Sequence, residues 1–168
     1  MTLFVPSVYH TGVRFCRESL FSDFKFESQV LPNPEATSIH IEPTHIKVLQ
    51  HWLNEAEHIV VPLRHPSLVA RSWKLRNYDM DALDEQWRML ASVVAPYDPI
   101  YMPVDHPDRS LYLDALNERM GLELQTDWQP VGYRLPHEVI NDEPLTDDEL
   151  DQAEYWSYNL PMVREIYG

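Results

Sequence analysis

His58-Ile-Val-Val-Pro-Leu-Arg-His-Pro-Ser-Leu-Val-Ala-Arg-Ser-Trp73 is the stretch on which the fold turns. Ile59 to Leu63 is an unbroken apolar run of strand length, as expected of a strand buried on both faces. The run ends at Arg64, the chain turns at His65-Pro66, and a short amphipathic segment carrying Ser72 follows. The stretch therefore reads as a strand–turn–helix unit, with Arg64 and Ser72 eight residues apart across it. Such a unit can bring a guanidinium and a hydroxyl to one anion at the carboxyl end of a sheet, where open α/β folds place ligands.

The same alternation extends in both directions. Upstream, Leu3 to Val8 reads as a first strand, Tyr9 to Gly12 as a turn, and Val13 to Phe21 as a helix with Phe15, Ser19 and Leu20 near one face. Phe24 to Val30 alternates polar and apolar residues and reads as a second strand; residues 31–35, with two prolines, read as loop. Ser38 to Ile41 is a short third strand. Pro43-Thr44 opens a helix with Ile46, Leu49, Trp52 and Leu53 at helical spacing. Downstream of the segment 67–76, a helix is expected over Asp81 to Val94, with Leu83, Trp87, Leu90 and Val94 inward. Pro99 to Val104 is a fifth strand. Asp108 to Met120 is helical, offering Leu111, Leu113, Leu116 and Met120 to a core, with Gly121 as C-cap. A last helix covers about Thr146 to Tyr158. Strands alternating with helices predict an α/β fold of three layers, a parallel sheet with right-handed crossovers between flanking helices. No internal repeat or domain boundary is visible, so residues 1–168 are read as one domain.

Composition bounds the function. Four Gly against fourteen Pro disfavours a long flexible linker. One cysteine, Cys16, cannot form an internal disulfide or a cysteine-built zinc site, and a reducing compartment is the simpler reading. The first residues lack the basic flank and apolar core of a signal peptide, and no run approaches membrane-span length. The expectation is a soluble, cytoplasmic protein with no membrane partner. The net charge of −14 is uneven: residues 1–76 hold eight Lys/Arg and seven Asp/Glu (+1), residues 77–168 five and twenty (−15). A broad nucleic-acid-binding face is unlike this, because phosphate contact needs clustered cations. The near-neutral half can still hold a compact anion pocket. The acidic half serves solubility, or engages a protein partner.

Four ordered pieces of the chain together resemble the sulfotransferase family, enzymes that use 3′-phosphoadenosine 5′-phosphosulfate (PAPS). The Arg64…Ser72 pair resembles the family's loop for the cofactor's 3′-phosphate. Tyr9-His-Thr-Gly-Val-Arg-Phe15 is similar in position to the P-loop-like segment, Lys-Ser-Gly-Thr-Thr-Trp in the family, that cradles the 5′-phosphosulfate. Ile39-His-Ile-Glu-Pro-Thr-His-Ile46 resembles the Thr-His-Leu-Pro segment, whose His is the catalytic base, and His40 falls on that position. Ile100-Tyr-Met-Pro-Val-Asp105, with the helix to Gly121-Leu122, resembles the late strand, acidic turn and following helix end. The resemblance covers about residues 3–133 and leaves an acidic, helical segment 134–168 outside it. It implies a P-loop NTPase-like sulfotransferase fold that binds PAPS or its product, adenosine 3′,5′-bisphosphate (PAP), and transfers the sulfuryl group to a hydroxyl or amine of an unknown small-molecule acceptor.

The resemblance implies roles for named residues. Thr11, Gly12, Val13 and Arg14, with Arg64 and Ser72, would bind the cofactor. His40 would be the base, and His10 or Arg14 would stabilise the leaving phosphate. Departures stand beside these. His10 occupies the family's Lys position, Val13 and Arg14 the two Thr positions, and the family's Arg-x-Gly-x-x-Gly loop is not among these residues. Gly12 and the N–H groups of a helix start still offer an anion site without side chains. No metal is required, and no Walker A motif is present, which argues against a small kinase.

Each residue also has a plainer reading. Arg64 would pair a carboxylate at the sheet edge, Ser72 would be an ordinary helix serine, and His10 and Arg14 would be turn and surface residues. His40 would be a structural histidine, with His45 as a competing base. Arg71 would face solvent or an acid. Cys16 and the indoles of Trp52, Trp73, Trp87 and Trp128 read as core. Thr146 followed by Asp147-Asp-Glu149 reads as a capped, acid-rich helix start. The alternative to an enzyme is a non-catalytic binder on the same scaffold.

Overall fold

The structure, a computed structural model, describes residues 1–28, 36–40, 46–128 and 137–168. Among these, five strands form one parallel sheet in the order β2-β3-β1-β4-β5: β1 (Leu3–Ser7), β2 (Glu27–Ser28), β3 (Ala36–His40), β4 (His58–Leu63) and β5 (Ile100–Pro103). β1 lies in the middle, with Ser7 opposite His40 on one side and Leu3 opposite His58 on the other. β4 continues the sheet through Val60 opposite Ile100 and Leu63 opposite Pro103.

The helices are α1 (Val13–Phe15), which runs into a π-helical turn at Cys16–Leu20, α2 (Ile46–Glu55), α3 (Pro66–Lys74), α4 (Met80–Val94), α5 (Arg109–Met120), α6 (His137–Asp142), α7 (Asp147–Asn159) and α8 (Pro161–Tyr167). They cover both faces of the sheet, because strand side chains alternate between them. Phe4, Ile59, Val61 and Leu63 join one core with residues of α2, α3, α4, α7 and α8. Leu3, Val5, Val60, Ile100 and Met102 join a second core with residues of α1, the π-turn and α5. The result is a helix–sheet–helix sandwich. Every residue of β1 is buried, as a central parallel strand requires.

Several expectations change in detail. The helix from Val13 is one α-turn followed by π-type bonding, with Phe21 N–H donating to Cys16 O at 2.8 Å. Of the strand expected over 24–30, Glu27–Ser28 pair with β3, and residues 29–30 lie outside the described residues. Phe24 instead turns back, its N–H donating to Phe21 O and its ring meeting Phe21 edge-on. β3 begins at Ala36, two residues earlier than the pattern suggests, and Ile41 lies outside the described residues. Ile46 is 44% exposed and Leu111 67% exposed, so neither is core. Leu111 and Leu113 are about 200° apart on a helix, and only the face of Leu113, Leu116 and Met120 meets the sheet. α6 and α8 have no counterpart in the sequence reading. They are six and seven residues long and are held by the burial of Ile140, Met162, Val163 and Ile166. No helix among the described residues is long and apolar enough to cross a membrane.

Candidate anion site at the sheet edge

β1 and β4 are neighbours, yet the chain leaves them in opposite directions. α1 follows β1 onto the second core's face, and α3 follows β4 onto the first core's face. A crevice opens between such strands at their carboxyl ends, the switch point where open parallel sheets place ligands. Here it is a cavity of about 250 Å³. His10, Gly12, Val13 and Arg14 line it from the β1 side, and Arg64, Ser72 and Arg76 from the β4 side. Two segments some fifty residues apart thus face one space.

The β1 side is shaped by backbone conformation. His10 (φ +70°) and Gly12 (φ +105°) are left-handed, which curls the loop tightly before α1. A Cβ on Gly12 would lie 2.7 Å from Cγ2 of Val104, just past β5, so glycine is required by both torsion and space. Tyr9 N–H donates to Gln86 Oε1 (3.3 Å), and the Tyr9 carbonyl accepts from Trp73 Nε1 (3.0 Å), so α4 and α3 both hold the loop. Thr11 is buried and does not line the cavity; its hydroxyl donates to Val8 O at 2.8 Å and closes the turn. Arg14 lines the cavity while its Nε donates to Glu18 Oε1 at 2.7 Å, which offsets part of its charge.

The β4 side carries the buried polar groups. Arg64 is 4% exposed and Ser72 1% exposed, among few polar side chains so enclosed in the described residues. The turn between them is fixed on two sides. His65 N–H donates to Asp105 Oδ2 (2.9 Å), and His65 Nδ1 caps α3 by accepting from Ser67 N–H. Burial lowers the pKa of His65, against a smaller opposing effect of Asp105, so this imidazole is held neutral. Arg76 Nη1 donates to both the carbonyl (2.9 Å) and the hydroxyl (2.8 Å) of Ser72.

Sequence reasoning did not single out Tyr9, Arg76, Tyr78 or Ile140, all of which line the cavity. Arg76 carried one usable signal, its spacing of four from Ser72. Ile140 carried none. It arrives because Arg71, expected to face solvent or an acid, donates instead to the carbonyls of Asn141 (2.7 Å) and Glu143 (2.6 Å) and fixes the end of α6. Part of the acidic segment 134–168 is therefore a wall of the cavity.

His40 ends β3 opposite Ser7, beside the strand that leads into the cavity loop; its side chain lies outside the described atoms, and His45 lies outside the described residues. Cys16 is buried and its thiol pKa is pushed up to about 12, which suits a core residue and not a nucleophile. Trp52, Trp73 and Trp87 are buried in the first core, and Trp128 stacks on Phe15 at 5.3 Å beneath the Arg109 guanidinium.

Comparison with protein-family models, curated proteins and solved structures finds no match to this chain. Fold and site by themselves define an α/β protein with a parallel sheet and a cationic cavity at its carboxyl edge.

Proposed function

We propose that this chain is a small protein of the sulfotransferase type, which holds PAPS or PAP at the carboxyl edge of its sheet and moves a sulfuryl group to a hydroxyl or amine acceptor. The observation that carries this is the convergence of Arg14, Arg64, Arg76 and Ser72 on one cavity in a protein of net charge −14. Ser72 supplies the test of fit. Its oxygen accepts from Arg76, and its own proton has no acceptor among the described residues, so a buried O–H is available to an anion in the cavity. The volume, about 250 Å³, is below the roughly 300–1,000 Å³ of pockets that enclose whole ligands, so these walls suit the charged end of a nucleotide.

PAPS would supply an activated sulfuryl group on a phosphate leaving group. Arg64 and Ser72 would hold the 3′-phosphate, which orients the donor. The loop from His10 to Arg14 would face the 5′-phosphosulfate and stabilise charge developing on the leaving phosphate oxygen. As the S–O bond to that phosphate breaks and the bond to the acceptor forms, His40 would take the acceptor's proton.

The Arg14–Glu18 ion pair favours a second reading, binding without turnover, since a guanidinium already facing a carboxylate stabilises a leaving group less well. Calorimetry with PAP tests the binding shared by both. Micromolar affinity abolished in Arg64→Ala supports the site; no binding of PAPS or PAP at millimolar concentration overturns it. His40→Ala then separates the readings. Nucleotide affinity should persist while turnover on a hydroxyl and amine library is lost. Equal turnover in that variant excludes His40 as the base, and none in the unmodified protein leaves the binder.

A further inference from the structure

We propose that the exposed face of α7, with the groove beside it, is a docking surface for an arginine-bearing basic segment of a partner protein. This goes beyond the reading of the anion cavity and does not depend on it, since the groove shares no described lining residue with that cavity.

The groove, of about 380 Å³, is bounded by α7, by His65 and Ser67 at the start of α3, and by Tyr167 of α8. On α7, Leu150, Glu154 and Tyr158 recur every four residues and share one side of the helix, with Asp151 beside them. Leu150 is 40% exposed and Tyr158 59%, so apolar surface stands in water among carboxylates. No Lys or Arg is among the described lining residues.

The helix itself does not account for these acids. Asp147, Asp148 and Glu149 occupy the first turn, where the N-terminal end of a helix favours negative charge. Asp151 and Glu154 lie beyond that turn. Asp151 follows Asp147 by four residues and precedes Glu154 by three, spacings at which like charges repel. Glu149 is paired with Lys74 and Asp84 with Arg88, whereas Asp151 and Glu154 are in no ion pair among the described residues.

α7 already shows what such a surface holds. Arg88 of α4 lies over the Tyr155 ring, 5.1 Å from its centroid, and its Nε donates to Asp84 at 2.7 Å. A tyrosine ring with a carboxylate close by thus seats a guanidinium on one side of this helix. Tyr158 repeats the ring three residues on, and Glu154, one helical turn before it, repeats the carboxylate. No cation lies over Tyr158 among the described residues. A partner's arginine fits this second seat better than a lysine, because a guanidinium both stacks on the ring and forks onto the acid. The charge of −15 over residues 77–168 would steer a basic chain toward it.

A blocked octapeptide of alternating arginine and glycine, titrated into the full chain and followed by amide signals, is the probe. It should bind with shifts confined to α7 and the start of α3. Asp151→Asn with Glu154→Gln should weaken it about tenfold, on the order of two exposed ion pairs. Asp114→Asn with Glu118→Gln removes the same charge from the exposed side of α5 and should change little. Tyr158→Leu should narrow the preference for this peptide over its lysine counterpart about threefold. Equal losses in the two double variants would mean attraction to net charge alone and overturn the proposal, as would shifts spread over the surface or no binding. Spermidine displacing the peptide at equal concentration would assign the groove to a small polyamine. Sedimentation showing self-association that only the α7 double variant abolishes would assign it to a second copy. Either result overturns the partner segment.

Discussion

The indole N–H of Trp73 donates to the carbonyl oxygen of Tyr9 at 3.0 Å, and this bond joins the two walls of the cavity. Trp73 belongs to the helix that carries Ser72, and Tyr9 to the loop that carries Gly12 and Arg14. The ring is buried in the first core, so the loop is tied to a rigid element. Trp73→Phe keeps most of the apolar surface and removes the donor. Stability should fall by about 1 kcal/mol, the usual net worth of one such bond. Affinity for PAP should fall severalfold as the loop loosens. Urea unfolding and calorimetry measure the two; unchanged affinity with lowered stability would show that the tie does not shape the site.

Gly12→Ala meets two obstacles. The left-handed torsion of +105° costs an L-residue about 1–2 kcal/mol. The new methyl also falls 2.7 Å from Val104 Cγ2. The variant should melt lower and bind anions poorly. Adding Val104→Ala should recover only the steric part, so the double variant melts between the two. Full recovery would mean the torsion is not strained.

His65 predicts a pH dependence of stability. Its pKa in the folded protein lies below its ordinary 6.5. The unfolded chain therefore binds a proton where the folded one does not, and stability falls as pH drops from about 6.5 until the folded imidazole protonates. Above 6.5 the group contributes no slope. His65→Asn keeps an N-cap acceptor and removes the titration. The drop in urea midpoint between pH 7.5 and 5.5 should be smaller in that variant; an equal drop would assign the slope to other groups.

Thr146 and Glu149 cap α7 reciprocally, Glu149 N–H donating to Thr146 Oγ1 (3.3 Å) and Thr146 N–H to Glu149 Oε2 (2.7 Å). Glu149 also meets Lys74 Nζ at 2.7 Å, chiefly which lowers its pKa and pins α7 to the end of α3. Thr146→Ala should cost about 1 kcal/mol in urea unfolding. Glu149→Gln keeps the neutral cap and weakens the tie to Lys74, so its penalty should shrink as salt is raised. A salt-independent penalty would show that the ion pair is not what matters there.

The candidate site was legible where one local unit carries it. Arg64 and Ser72 follow from a strand that ends and a helix that begins within nine residues, and the loop from His10 to Gly12 from a turn before a helix. Arg76 was overlooked because α3 ends at Lys74, and only the return of its side chain onto Ser72 brings it to the cavity. Tyr78 and Ile140 come from beyond the unit, and no spacing links them to it.

By itself the sequence determined what short-range physics controls: the apolar run of β4, the inward stripe Leu83, Trp87, Leu90 and Val94, the left-handed cap at Gly121 and the capping box at Thr146. Each depends on torsions and neighbours within a turn or two. Only the tertiary structure decided which side of a helix meets the sheet, leaving Ile46 and Leu111 in water, and which short segments become helices at all. α6 and α8 are too short to persist alone; burial of Ile140 and Ile166 against elements distant in the chain holds them, and no local pattern records that burial.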